Sequence, residues 1–197
     1  MLNKNRMTVV IGLGNPGSKY EHTRHNVGFD AVEKAAAFFQ VKLKKRCFRL
    51  YRQARVHPEN NKGQDALLVQ PLTFMNASGN IMDSFKPDDD FVVVCDNMDL
   101  AAGGLRIRKG GGTSGQKGLS SIAEKLGRSD FIRIYIGIGR PAEGTEVVDH
   151  VIGIEPEGEK KVAIDKAIED AAKAIVKYIN GASVEELQLE FNRKGIL

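Results

Sequence analysis

The chain has 197 residues, 42% hydrophobic and 27% charged, with 21 glycines, two cysteines and no tryptophan. That length suits a single domain spanning residues 1–197 with enough apolar side chains for a core, which excludes a wholly disordered chain. A net charge of +4, from 29 basic and 25 acidic residues, permits an anionic partner without requiring one.

No stretch approaches the ~18 apolar residues of a membrane helix, and the polar opening Met1–Arg6 does not read as a signal peptide. Cys47 and Cys95 fit neither a disulfide framework nor a cysteine zinc site. A reducing cytoplasm is the expected compartment.

In chain order, Met7 to Leu13 is a short β-rich run ending in glycines, which predicts a buried first strand. Apolar residues at 27, 29, 32, 35, 36 and 39 follow helical spacing. Phe48, Leu50, Ala54 and Val56 alternate with Arg49, Tyr51, Gln53 and Arg55, which predicts a half-exposed strand. A turn at Pro58–Gly63 and a returning strand at Ala66–Val69 complete a hairpin. Pro71 is expected to block further pairing and to start a loop into a short helix over Asn76–Phe85.

Phe91–Cys95 is wholly apolar, as in a central strand buried on both faces, and stops at Asp96. Leu105–Arg108 predicts another strand. The flexible Gly110–Gly118 stretch leads into an amphipathic helix carrying Leu119, Ile122 and Leu126. Ile132–Ile138 predicts one more strand. After Glu155-Pro-Glu-Gly-Glu159 comes a long helix with Ile164, Ile168, Ala171, Ile175 and Tyr178 on one face, and then a last helix over Val184–Asn192. Interleaved strands and helices define an α/β class. The hairpin breaks strict βαβ alternation and so predicts a mixed sheet.

Two glycine-rich segments imitate phosphate sites and fail on chemistry. Gly12-Leu-Gly14-Asn-Pro-Gly17 matches G-x-G-x-x-G, but Pro16 and the polar Ser18–His25 stretch delay the helix whose N-terminus would hold a pyrophosphate. The acidic residue expected ~20 positions on is replaced by Val41-Lys-Leu-Lys-Lys45. In the second segment the order is Gln116-Lys117-Gly118, and the chain contains no Gly-Lys pair with which to build a P-loop.

What remains is a group of polar residues at loop positions: Asn15 past the first strand, His25 before a helix, Asn76 at a loop-to-helix junction, and Asp96 at the end of the buried strand. Ligand sites in open α/β sheets gather beyond the carboxyl ends of strands. A buried carboxylate there needs a partner, and His25 is the best candidate. A carboxylate on one ring nitrogen fixes the tautomer and leaves the other nitrogen to take a proton from water. Each residue also has a plainer reading: His25 or Asp96 as a cap, Asn76 as a helix N-cap, Asn15 as turn chemistry. His22, His57 and His150 show no arrangement near acids that suggests a metal site, so no metal or cofactor is expected.

Taken in order, several blocks resemble the bacterial peptidyl-tRNA hydrolases. They are Gly12–Gly17, Tyr20, Thr23-Arg-His-Asn26 with Gly28, Pro71-Leu-Thr-Phe-Met-Asn-Ala-Ser-Gly79, Asp96 with Asp99-Leu100, the Gly110 segment and Ile136–Gly139. The resemblance implies a single α/β domain with a mixed, mostly parallel central sheet flanked by helices. It also implies hydrolysis of the ester joining a peptide to the terminal ribose of tRNA. By similarity His25 is the general base and Asp96 orients it, while Asn15 and Asn76 hold the peptide backbone and reacting carbonyl. Tyr20, Met75 and Lys117 join the substrate-binding set. Arg106, Arg108, Lys109 and Arg133 are expected to meet tRNA phosphates. The expected partner is the acceptor stem and nascent peptide of peptidyl-tRNA, bound by a monomer away from membranes.

Two features depart from the family pattern. The glycine-rich loop usually carries His-Asn before its final glycine, where this chain has Gln116-Lys117, and a strand position often basic in relatives is Tyr135. The rival reading is a non-catalytic RNA-binding protein of the same fold.

Overall fold

The computed structural model describes residues 6–60, 62–141, 143, 144, 146–153 and 157–196. Seven strands form one sheet: β1 (Thr8–Gly12), β2 (Lys44–Lys45), β3 (Tyr51–Val56), β4 (Ala66–Pro71), β5 (Asp90–Asn97), β6 (Leu105–Lys109) and β7 (Ile132–Gly137). Their order is β2-β3-β4-β1-β5-β7-β6. The four central strands β4, β1, β5 and β7 run parallel, and antiparallel pairs flank them on both sides. This is the single α/β domain with a mixed sheet that the sequence predicts.

Helices α1 (Val27–Phe38), α2 (Lys117–Leu126), α3 (Val147–Ile152), α4 (Glu159–Ile179) and α5 (Val184–Phe191) surround the sheet. Strand side chains alternate between faces, so the central strands feed two cores. Val10, Leu68, Val92, Val94 and Ile134 join α1, α4 and α5 on one face. Val9, Ile11, Val69, Phe91 and Val93 join α2 and a 3-10 segment, Met75–Ser84, on the other. Burial on both faces explains why Phe91–Cys95 reads as a continuous apolar run.

Three local expectations change. Phe48 does not point inward: it is fully exposed, its φ is +61°, and the strand begins only at Tyr51. Tyr51 is buried instead, against Phe85 on the second core. Pro71 closes β4 opposite Tyr51 rather than ending pairing before it. Asp96 lies within β5, paired with Ile136, rather than beyond the strand. The short β2 and the α3 helix are not among the elements that the sequence predicts, and part of the Glu155–Glu159 stretch lies outside the described residues.

From β1 the chain passes through α1 and the hairpin to β4 on one side. It then crosses through the 3-10 segment to β5 on the other. Strand order therefore reverses around β1, and a crevice opens at the carboxyl ends of β1 and β5.

Candidate active site

Close packing of backbone sets the site. A Cβ on Gly12 would come within 2.2 Å of the Gly28 carbonyl oxygen, and one on Gly28 within 2.4 Å of the Val94 carbonyl oxygen. One on Gly14 would strike the Phe29 ring at 2.7 Å. These glycines let the first turn of α1 lie flush on the ends of β1 and β5. Gly12 and Gly14 are thus spent on this packing, and α1, which they seat, begins only at Val27.

Residues Arg24–Asn26 form a 3-10 turn leading into α1. Buried Asn26 anchors it by accepting the Asn15 N–H at 2.8 Å and donating to the Asn15 carbonyl at 3.0 Å. This places the half-buried His25 with Nδ1 3.0 Å from Asp96 Oδ1. The ring N–H lies off the line of a straight hydrogen bond to that oxygen. Asp96 is only 4% exposed, so the proximity of an imidazole matters to its charge.

Asn15 is equally constrained. Its Oδ1 accepts the Met75 N–H at 2.8 Å, which leaves Nδ2 as its free donor. Gln116, which the sequence marks only as a departure from the family pattern, is bonded into this cluster. Its Nε2 donates to Asp96 Oδ1 at 2.9 Å and approaches Met75 Sδ at 3.2 Å. Its Oε1 caps α2 by accepting from Gly118 and Leu119 N–H at 2.6 and 3.0 Å. One side chain thus ties a helix N-terminus to the buried carboxylate.

These groups line a cleft of about 480 Å³. Asn15, Tyr20, His25, Met75, Asn76, Asp96 and Lys117 all border it, together with Gln116, Phe74 and Ser114. Asn76 caps no helix: Phe74 precedes the 3-10 segment, and Asn76 is exposed within it. Tyr20 packs edge-on against Phe74. Val147, Val151 and Ile152 of α3 supply an apolar wall. That helix is docked by Arg24 Nη1 donating to the His150 carbonyl at 2.9 Å, and by His150 Nε2 lying 3.0 Å from the Gly139 carbonyl. Burial pushes the His150 pKa below its ordinary value, outweighing the Gly139 carbonyl. A larger groove of about 1020 Å³ between α1 and α4 has a mixed-charge lining, including Glu33, Lys34, Lys166 and Glu169, and contains none of these residues.

Arg106, Arg108 and Lys109 project from β6 into solvent. Arg133 does not join them. It is fully buried, donates to the Ser129 carbonyl at 3.0 Å and sits 4.6 Å over the Phe131 ring. The phosphate-binding role expected for Arg133 is therefore withdrawn, because a covered guanidinium cannot reach a surface anion. Tyr135 is also buried and lies beneath the glycine-rich loop, its hydroxyl near the Gly112 carbonyl. His57 does have an acidic neighbour, Asp65 at 2.8 Å, but among the described residues no three such groups gather as a metal site.

A histidine–carboxylate pair beside open amide donors, at the switch point of an α/β sheet, has the groups needed to activate water toward a carbonyl. The family model described as peptidyl-tRNA hydrolase matches residues 9–196, so the chain belongs to that family. A peptidyl-tRNA hydrolase of Syntrophomonas wolfei is 47% identical over 86% of this chain and 91% of its own. That of Bacillus subtilis is 40% identical over 95% of this chain and 100% of its own. The crystal structure of the Acinetobacter baumannii peptidyl-tRNA hydrolase superposes with a TM-score of 0.82 at 31% identity, covering 96% of both chains.

Proposed function

We propose that the chain hydrolyses the ester between a peptide and the terminal ribose of tRNA, using water activated by His25. The observation that carries this reading is the 3.0 Å approach of His25 Nδ1 to Asp96 at the cleft. With Nδ1 directed to the carboxylate, Nε2 is left as the base. Water attacks the carbonyl carbon as its proton passes to Nε2, giving a tetrahedral oxyanion. Collapse breaks the bond to the ribose oxygen, and His25 returns the proton to that leaving oxygen. Asp96 stabilises the intervening imidazolium.

Asn15 Nδ2 and Asn76 are suited to hold peptide carbonyls and the oxyanion, because a neutral carboxamide donates without selecting a side chain. Tyr20 and Met75 border the peptide path, and Lys117 adds charge at its ribose end. Arg106, Arg108 and Lys109 hold acceptor-stem phosphates. The enzyme acts as a monomeric domain in the cytoplasm, where its substrate is made. No helix among the described residues is long and apolar enough to cross a membrane.

Release of N-acylated amino acid from N-acyl-aminoacyl-tRNA tests the chemistry. His25→Ala should lower kcat by roughly 10²–10⁴-fold with the tRNA still bound. Equal, negligible turnover by wild type and variant would instead favour a non-catalytic RNA-binding protein. Arg108→Glu should weaken tRNA binding and flatten its salt dependence, and an unchanged slope would remove Arg108 from the interface.

A further inference from the structure

The positive charge of this chain is concentrated far from β6. Residues 42–55 contain seven cations and no acid, which leaves 22 basic against 25 acidic residues elsewhere. This segment therefore more than accounts for the net charge of +4. It forms β2, the following turn and β3, at the sheet edge opposite β6. β2 lies three strand spacings from β1, or about 14 Å.

Lys42, Lys44, Lys45, Arg46 and Arg52 are exposed and have no ion-pair partner among the described residues. Lys45 sits directly opposite Arg52, and Lys44 opposite Gln53. Like charges facing each other across a ladder are destabilising, and an anionic partner would relieve that cost. Because neighbouring residues point to opposite faces, Lys44 and Lys45 place charge on both sides of a two-residue edge strand. At the tip, Phe48 is fully exposed in a left-handed backbone conformation, with φ +61°. A bulky residue in that region is uncommon, and such strain clusters at functional positions.

We propose that this ridge is a second RNA-binding surface, gripping backbone phosphates with cations on both faces and stacking an unpaired base on Phe48. A planar headgroup layer would meet only one face of the ridge. A folded RNA strand can wrap both, and a basic surface with an exposed aromatic is the usual means of holding unpaired nucleotides. This surface lies apart from the cleft and does not depend on the hydrolytic reading.

The test is fluorescence anisotropy with a labelled 12-nucleotide single-stranded RNA between 50 and 300 mM salt, run with matched thermal melts. Replacing Lys44, Lys45, Arg46 and Arg52 together by glutamine should weaken binding at least about tenfold at 100 mM salt. It should also flatten the log–log salt slope by about 0.7 for each lost contact. Phe48→Ala should weaken binding about tenfold and leave the slope unchanged. All five side chains are exposed, and two of the replaced cations repel each other across the ladder, so no melting temperature should fall below the wild-type value. Absence of RNA binding by the wild type, or wild-type affinity and slope in the quadruple variant, would overturn the proposal. It would equally be overturned if the quadruple variant lost binding only to vesicles of 30% phosphatidylserine in phosphatidylcholine, which would make the ridge a membrane contact. Peptidyl-tRNA turnover by the wild type is scored separately, so failure of either reading is seen independently of the other.

Discussion

The two glycine-rich segments look alike in sequence and do opposite things. In Gly12–Gly17 the first two glycines are consumed by contact: a methyl group at either would meet protein atoms at 2.2–2.9 Å. In Gly110–Gly118, a Cβ at Gly112 or Gly115 would meet nothing within 4 Å. Here glycine serves conformation, with positive φ at Gly110, Gly111 and Gly115. The first segment is a rigid seat for α1, Asn15 and His25. The second is an open strap over Tyr135 that is fixed mainly where Gln116 ties it to Asp96 and α2. One side of the cleft is thus set by packing and the other by hydrogen bonds.

Breaking the rigid side should have the largest effect. Gly12→Ala pushes a methyl into the Gly28 carbonyl, which is backbone and cannot step aside. Overpacking of this kind costs about 3 kcal/mol. For a chain of this length the melting temperature should fall by roughly 6–12 °C, and turnover should fall with it because His25 sits in the 3-10 turn that enters the displaced helix. A Gly12→Ala protein with wild-type melting temperature and kcat would show that the close approach is not what seats the base.

Gln116 tests the opposite side at intermediate size. Gln116→Ala removes a cap worth about 1 kcal/mol together with a donor to Asp96. Gln116→Glu retains a capping oxygen but sets a second carboxylate against Asp96. The added negative charge strengthens the attraction on the His25 imidazolium. The acid limb of kcat/KM should therefore move to higher pH in Gln116→Glu, while its melting temperature falls because the donor to the buried Asp96 is replaced by a repelling oxygen. An unmoved pH profile would reduce Gln116 to a helix cap.

Gly115→Ala should cost less than Gly12→Ala, for a different reason. The space is open, but φ is +73°, and a side chain in the left-handed region costs roughly 1–2 kcal/mol. Melting should drop by about 2–8 °C, with kcat nearly retained. A loss of activity as large as that of Gly12→Ala would mean that the strap is as tightly specified as the seat.

This contrast also explains what could be read in advance. Strands and long helices are legible because burial writes itself into sequence, as the unbroken apolar run Phe91–Cys95 of a strand covered on both faces and as the helical spacing of Ile164–Ile175. The pairing of His25 with Asp96 was legible because both stand at element ends that the α/β topology brings together. Tyr51 reads as exposed because Ala54 and Val56 of the same strand face one core, whereas Tyr51 points to the opposite face, where Phe85 covers it. Arg133 was misassigned because sequence shows a charge and not the Phe131 ring and loop that cover it. Helix α3 is six residues long, too short to give a periodic signal. Gln116 was noticed only as a departure, since its double hydrogen bonding depends on a loop path that local pattern does not encode.

The smallest expected effect concerns α3, which closes the cleft from a third side. His150 anchors it as a half-buried neutral ring against the Gly139 carbonyl. Burial first, with the nearby Arg24 cation adding to it, lowers the pKa of His150 below its ordinary value of about 6.5. For a group whose folded pKa is depressed, the unfolded state binds more protons in the interval between the two values. The contribution of His150 is then fully present above about pH 6.5 and is lost as pH falls through the lower folded value. Hydrogen-exchange protection of the amides in Val147–Ile152 should decline as pH falls below about 6.5, while β1 and the first turn of α1 keep theirs. KM should rise over the same interval as the wall formed by Val151 and Ile152 loosens, and His150→Gln should flatten both trends. Equal loss of protection in β1 would locate the acid sensitivity in the shared sheet and not at this imidazole.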